Sequence, residues 1–518
     1  MNTNKHVFTV LMFASAIALP AGVISRDWAK GKLTLKLDDG SAEIEWITPV
    51  AFRVSRSWGG VAGVLPNIPH EAIAPTLEDV GQTISMRTRY ITVDVDRENT
   101  ELRVKSGETL VSTSVLVRNN DAVELRLGVA QDERFQGGGV FGPEGRQGLL
   151  FTSKGYGVFV RSPEHWAFDR TDGVVRTTPA KSIDYMFYYG PTPKEIFEQH
   201  AGVMSAGEVK ADALDLLTRA QLPKQAIVLR NWPNASVGDA FHRFISDLIA
   251  ASLSGVIYPA IDVSDFDYLQ PSPDAQRFKD LCSMLPIVFR SSGEGGIEAA
   301  TRLKWRPYLI TYLREAYDRG YPLIRPLPMQ FSRDADSDKQ PDVFMLGDEV
   351  LLAPASGPKR KLDLPRGSWT DFRTNTEYRG NQTIEVDAPA GQVPMFVRNG
   401  WIVPLELQSK MELHYFPDLG GEFFLWEPEQ GENSQFHAAP AGDYLRVEVE
   451  TKVRRTYEWV LHHTKAPREV AEESGAYQKA DRREALKPGM WWHDGPQNNL
   501  HVMMRAEANT DRIVNISF

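Results

Sequence analysis

From Lys32 to about Tyr189, apolar and polar residues alternate in short runs such as Lys32-Leu-Thr-Leu-Lys-Leu, Ile91-Thr-Val-Asp-Val and Val123-Glu-Leu-Arg-Leu, separated by Gly, Asp and Asn. A period of two turns one face of each run to a core and the other to solvent, so the pattern predicts an antiparallel β-sandwich. At Pro191-Thr-Pro-Lys-Glu-Ile-Phe-Glu-Gln-His the spacing becomes helical, with a proline near the start and acids in the first turn, which sets a boundary at about residue 192.

The middle third alternates apolar strand-like runs with helical ones. The predicted strands are Gln225-Ala-Ile-Val-Leu-Arg, Gly255-Val-Ile-Tyr-Pro-Ala-Ile and Pro286-Ile-Val-Phe-Arg, and the predicted helices run over about 236–252, 273–284 and 297–319. Apolar strands separated by helices indicate a parallel sheet covered on its faces. After Tyr321 the turn spacing returns to that of β-structure through to Phe518, which predicts further sandwich-like modules.

Composition narrows the function classes. A chain of 518 residues predicts two to four domains, and 12 Trp with 24 Phe supply large cores. A net charge of −10 without a Lys/Arg cluster argues against a nucleic-acid partner and favours a neutral, sugar-like ligand. Residues 1–24 carry Lys5, an apolar run from Val7 to Leu19 and small residues around Ala21, the layout of a secretory signal, which leads us to expect a secreted or periplasmic protein. No later segment has the length of a membrane span. The single cysteine, Cys282, lies in the helical apolar set Phe278, Leu281, Cys282, Leu285 and reads as a small core residue rather than a reactive thiol.

Four motifs occur in order: Trp305-Arg-Pro-Tyr-Leu-Ile-Thr-Tyr-Leu-Arg-Glu-Ala-Tyr-Asp-Arg-Gly-Tyr-Pro-Leu-Ile-Arg-Pro-Leu, Phe344-Met-Leu-Gly-Asp-Glu-Val-Leu-Leu-Ala-Pro, Leu364-Pro-Arg-Gly-Ser-Trp-Thr-Asp-Phe and Pro394-Met-Phe-Val-Arg-Asn-Gly-Trp-Ile-Val-Pro-Leu. Together with Glu133-Arg-Phe-Gln-Gly-Gly-Gly and Asp184-Tyr-Met-Phe-Tyr-Tyr-Gly-Pro-Thr-Pro-Lys-Glu-Ile, they resemble glycoside hydrolase family 31, the α-glucosidase family, over about 131–405. The resemblance implies a multidomain α/β plus β protein. Its expected parts are a leader over 1–24, a galactose-mutarotase-like N-terminal β-sandwich over 25–192 and a truncated (β/α) barrel remnant over 193–325. A proximal C-terminal β-domain over 326–410 and a distal one over 411–518 complete the layout. It also implies a carbohydrate or glycoconjugate as ligand, with no cofactor and no metal.

The family's retaining hydrolysis needs two carboxylates, one to attack the anomeric carbon and one to protonate the leaving oxygen. Here the sequence departs from the pattern. A complete barrel takes at least roughly 200 residues, but only about 115 separate Gly207 from Tyr321. The shortfall falls in 211–224, where the resemblance would place the nucleophile, and no residue there aligns with it. Counting back from Leu253-Ser-Gly puts Pro233 at the acid/base position, and Ser292 stands for a sugar-binding histidine. Asp262, Phe266, Arg290 and Trp232 match the remaining sugar-contacting positions and are the candidate substrate-binding residues.

Each candidate has a plainer reading. Asp262 also fits a loop-structuring acceptor. Asp239, a conceivable relocated acid, reads better as the end of the capping box Ser236-Val-Gly-Asp239. Asp265 and Asp267 lie close to Asp262 but lack the ligand spacing of a cation site. Trp166 and Trp305 suit sugar stacking and suit a core better. The expectation is a catalytically degenerate glycan- or partner-binding protein; the alternative is an α-glycosidase with relocated carboxylates such as Asp262 and Asp265. A three-stranded parallel remnant leaves strand edges open, which calls for cover from other segments or from a homo- or hetero-oligomeric partner.

Overall fold

The computed structural model describes residues 21–59, 73–139, 148–161, 166–178, 180–204, 227–229, 237–262, 271–285, 287–289, 300–332, 334 and 336–518. The chain divides into two compact units, 1–133 with 160–189, and 134–159 with 190–518.

The first unit is the predicted antiparallel sandwich. One sheet contains Val23–Ala29, Lys32–Leu37, Gly40–Thr48, Ala51–Ser57 and Ser182–Tyr189 in that order. Eight strands between Thr76 and Thr177 form the other. Alternation fixes which face is buried: along Lys32–Leu37, Leu33, Leu35 and Leu37 point inward and the intervening residues do not. Leu35, Ile44 and Val54 of the first sheet share an interior with Val95, Leu102 and Leu116 of the second. Val23 pairs with Leu37, so the described fold starts inside segment 1–24.

In the second unit, helix α1 (Pro193–Met204) precedes three parallel strands, Ile227–Leu229, Pro259–Asp262 and Ile287–Phe289. Among the described residues these strands pair only with one another. Helices α2 (Val237–Leu253), α3 (Pro273–Met284) and α4 (Ala300–Arg319) alternate with them. This is the truncated barrel remnant, and it accounts for the short interval between sandwich and exit strand.

Local chemistry sets the helix limits. Ser272 caps α3, its side chain accepting from the Ala275 N–H at 3.1 Å, and Pro273 occupies the first turn where no N–H is needed. On α2, Phe241, Phe244, Ile245 and Leu248 recur at helical spacing and are buried. Phe241 and Phe244 meet Phe278 of α3 with ring centres 5.6 and 5.0 Å apart, and Cys282 is fully buried beside them. The second parallel strand is shorter than its sequence predicts. Gly255, at φ +90°, follows the end of α2, and the strand opens only at Pro259, a position where a proline costs no ladder bond.

The C-terminal part is mostly β-structure. A six-stranded sheet runs from Ile324–Pro326 to Thr376–Arg379 and, with a two-stranded ribbon, encloses Trp369 and Phe396. Two further six-stranded sheets between Ile402 and Ser517 form the distal sandwich around Trp459 and Tyr457. The all-β expectation after Tyr321 misses two short helical turns among the described residues, Leu327–Gln330, which follows the strand ending at Pro326, and the 3-10 turn Arg483–Ala485. No helix among the described residues is long and apolar enough to cross a membrane.

Candidate functional site

The three parallel strands end at Leu229, Asp262 and Phe289. In-register pairing puts Asp262 opposite Phe289, with Leu229 opposite Ile261. Asp262 is thus the one acidic residue at these three ends, and it is 4% exposed. The strand delivers it to this position because Ala260 and Ile261 before it are fully buried in the sheet. Trp232, Pro233, Asp265, Phe266, Asp267, Arg290 and Ser292 lie outside the described residues. Asp239 sits exposed in the first turn of α2, where a carboxylate favours the positive end of the helix. Trp305 and Trp166 are both buried; Trp305 packs edge-on against Tyr308 at 5.5 Å, a core role. Among the described residues no three His, Cys, Asp or Glu side chains are grouped to hold a metal.

Two polar clusters escape the sequence reading. The first joins α4 to the motif Leu346-Gly-Asp-Glu-Val350. Tyr312 contacts Glu349 Oε1 and Oε2 at 2.7 and 2.6 Å, while Tyr308 contacts Glu349 Oε2 at 2.7 Å and the Leu346 carbonyl at 2.5 Å. Tyr308 has one hydroxyl proton for two acceptors, so both contacts are satisfied only when Glu349 carries a proton of its own. Burial drives the Glu349 carboxyl up to about 8 and the Asp348 charge adds to the effect, against the tyrosines and Arg325. Gly347, at φ +69°, belongs to the same device: a Cβ there would lie 2.5 Å from the Tyr308 hydroxyl and 2.4 Å from the Tyr312 ring. The signal available in the sequence was two adjacent acids inserted between two apolar strands.

A raised pKa means that folding takes up a proton, so this stability contribution is full below about 4.5 and fades as pH rises through about 8. Replacing Glu349 by glutamine removes the titration. In urea unfolding from pH 5 to 8, the wild-type chain is expected to lose up to about 1.4 kcal/mol per pH unit relative to Glu349→Gln. Parallel pH profiles of the two proteins would contradict the protonated-carboxyl assignment.

The second cluster lies between the proximal sheet and the distal sandwich. His462 Nδ1 meets Asn375 Oδ1 at 2.8 Å, His462 Nε2 meets His414 Nδ1 at 3.0 Å, and His414 Nε2 meets Glu412 Oε2 at 3.1 Å. The Asn375 amide donates to the Gln497 carbonyl and to Asn499 Oδ1, which fixes its oxygen toward His462. All three contacts are then satisfied only when the pair of rings holds one proton beyond neutrality. Burial outweighs Glu412 and lowers the His414 pKa, and it holds His462 well below the ordinary imidazole range, so burial opposes that extra proton. This buried cluster shares no residue with the strand ends and has the character of a domain-joining network.

Residues 320–403 match the profile described as "Glycosyl hydrolase family 31 C-terminal domain". The chain is 24% identical over 236 residues to an isomaltosyltransferase of Sporosarcina globispora, covering 39% of this chain and 22% of that one. It is 26% identical over 230 residues to alpha-glucosidase 2 of Bacillus thermoamyloliquefaciens, covering 39% of this chain and 29% of the relative. The matched region thus spans less than a third of the length of either relative. In structure, the chain resembles a GH31 dextranase of Flavobacterium johnsoniae complexed with glucose, with a TM-score of 0.75 at 14% identity over 96% of this chain and 100% of that one. At that identity the likeness concerns the fold.

Proposed function

We propose that the chain, which belongs to glycoside hydrolase family 31, is an exported carbohydrate-binding protein that holds an α-linked glycan without cleaving it. The observation that carries this reading is the set of strand ends: of Leu229, Asp262 and Phe289, one is an acid, whereas retaining hydrolysis requires two opposed carboxylates. Pro233 at the acid/base position, a residue with no ionisable group, supports the same conclusion. Asp262 then acts as an acceptor for sugar hydroxyls, since a buried carboxylate with charge-assisted hydrogen bonds contributes more than a neutral acceptor. The apolar segment Val7 to Leu19 motivates export.

Isothermal titration with maltotriose and isomaltotriose tests the binding role. Saturable heat with the oligosaccharide recovered intact is expected, and Asp262→Ala should weaken binding by about tenfold, the equivalent of one charge-assisted hydrogen bond. Asp262→Asn, which keeps an acceptor oxygen, should retain part of the affinity. Equal affinity in wild type and Asp262→Ala would remove Asp262 from the site.

A further inference from the structure

A cleft of about 900 Å³ lies in the second unit, and Asp262 is not among the residues that line it. The end of α3 and the start of α4 form one side, tied together where the Arg302 guanidinium donates to the Leu285 carbonyl. Phe372 and Arg373 of the proximal domain, segment 391–395 and residues 406–408 form the other. Its size falls within the range of small-molecule clefts.

Three cations line it: Lys304, Arg306 and Arg373. Among the described residues no carboxylate forms an ion pair with any of them, whereas Arg277, Arg314, Arg325, Arg360 and Arg455 of the same unit are paired. Two acids also face the cleft. Asp280 is already engaged, accepting from the Gly391 N–H at 2.7 Å and from Gln276 at 2.8 Å, which pins the opposite wall. That leaves Glu406 as the one other carboxylate against three cations. Between the charges, Phe372, Val393, Met395 and Leu303 supply apolar surface, and Ser283, Thr301, Gln392 and Gln408 supply hydroxyl and amide groups. Leu303 is 63% exposed, an unusual placement for a leucine on a helix that otherwise buries its apolar face.

We propose that this cleft is a second binding site, for an acidic oligosaccharide. Pyranose rings present an apolar face and a hydroxyl rim, which suits the mixed walls. Carboxylates on those rings pair with guanidinium groups in a fork geometry that water does not reproduce. Three cations without a carboxylate partner among the described residues therefore select a uronate-bearing saccharide over a neutral one. The site is independent of Asp262, so it stands or falls apart from the reading above.

Titration of the full chain with tri-galacturonate, followed by calorimetry at low salt and at 0.5 M NaCl, tests it. Saturable binding, weakened at least tenfold by the added salt and by Arg373→Glu, is the expected result. Maltotriose should not compete at this site, and inorganic phosphate should compete only weakly. Arg373 is exposed, so Arg373→Glu should fold normally, and Arg306→Gln provides a second variant with the same expected direction. Absence of saturable binding would overturn the proposal, as would an affinity unchanged in both variants. Phosphate binding as tightly as the trisaccharide would overturn the saccharide assignment.

Discussion

Replacing Arg325 by alanine is expected to destabilise the second unit by about 3–5 kcal/mol. Arg325 is fully buried, and its guanidinium pairs with Asp348 through one nitrogen and with Glu315 through the other, while its Nε donates to the Pro322 carbonyl at 2.9 Å. The rings of Tyr312 and Tyr321 lie against it at 5.0 and 4.3 Å. Burial raises the Asp348 pKa, but Arg325, Lys194 and Gln330 outweigh burial, so the net shift is downward and the carboxylate stays ionised. Removing the guanidinium leaves two acids beside a protonated Glu349 with little compensation. Lys194 still reaches Glu315 at 2.7 Å, and Gln330 still reaches Asp348 at 2.7 Å, so part of the network survives. Arg325→Lys should fall between wild type and alanine, because an ammonium cannot hold both carboxylates in a planar fork. Urea unfolding followed by tryptophan fluorescence reads the difference through the buried Trp369 and Trp459. A change below about 0.5 kcal/mol for Arg325→Ala, the size of an ordinary surface substitution, would show that the triad is not structural.

This network also explains which parts of the molecule were legible in the sequence. The motifs Trp305-Arg-Pro-Tyr and Tyr321-Pro-Leu-Ile-Arg supply Tyr308, Tyr312, Glu315 and Arg325, and the motif Phe344-Met-Leu-Gly-Asp-Glu supplies Asp348 and Glu349. Two of the segments that carry the family resemblance thus build one buried polar cluster, where size, charge and glycine conformation are all constrained together. They mark the scaffold rather than the chemistry.

Local signals were equally readable. The limits of α3 follow from Ser272, Pro273 and the apolar spacing, and the sandwich strands follow from period-two burial. What could not be read depends on distance along the chain. His414 and His462 are brought together by a parallel pairing of Met411–Tyr415 with the strand ending at Leu461, and neither neighbourhood carries a local mark of it. The cleft at Lys304 and Arg373 likewise depends on the packing of two segments about seventy positions apart. Of the sugar-contacting candidates, Asp262 was locatable because a buried strand ends on it; Trp232, Phe266 and Arg290 lie outside the described residues.

General acid–base assistance alone contributes about 10²- to 10⁴-fold to a reaction of this kind, and the covalent step contributes further, so a chain without an opposed pair of carboxylates has no route to rapid turnover. On the function proposed above, Pro233→Asp should not restore turnover, because Asp262 is the one acid at the described strand ends. The most direct measurement is release of nitrophenol from an aryl α-glucoside by the purified protein, followed over hours beside a protein-free control. Release indistinguishable from the control is expected for wild type, Asp262→Ala and Pro233→Asp alike. Saturable release that co-purifies with the wild-type chain and disappears in Asp262→Ala would contradict it, and would identify an active glycosidase with relocated carboxylates.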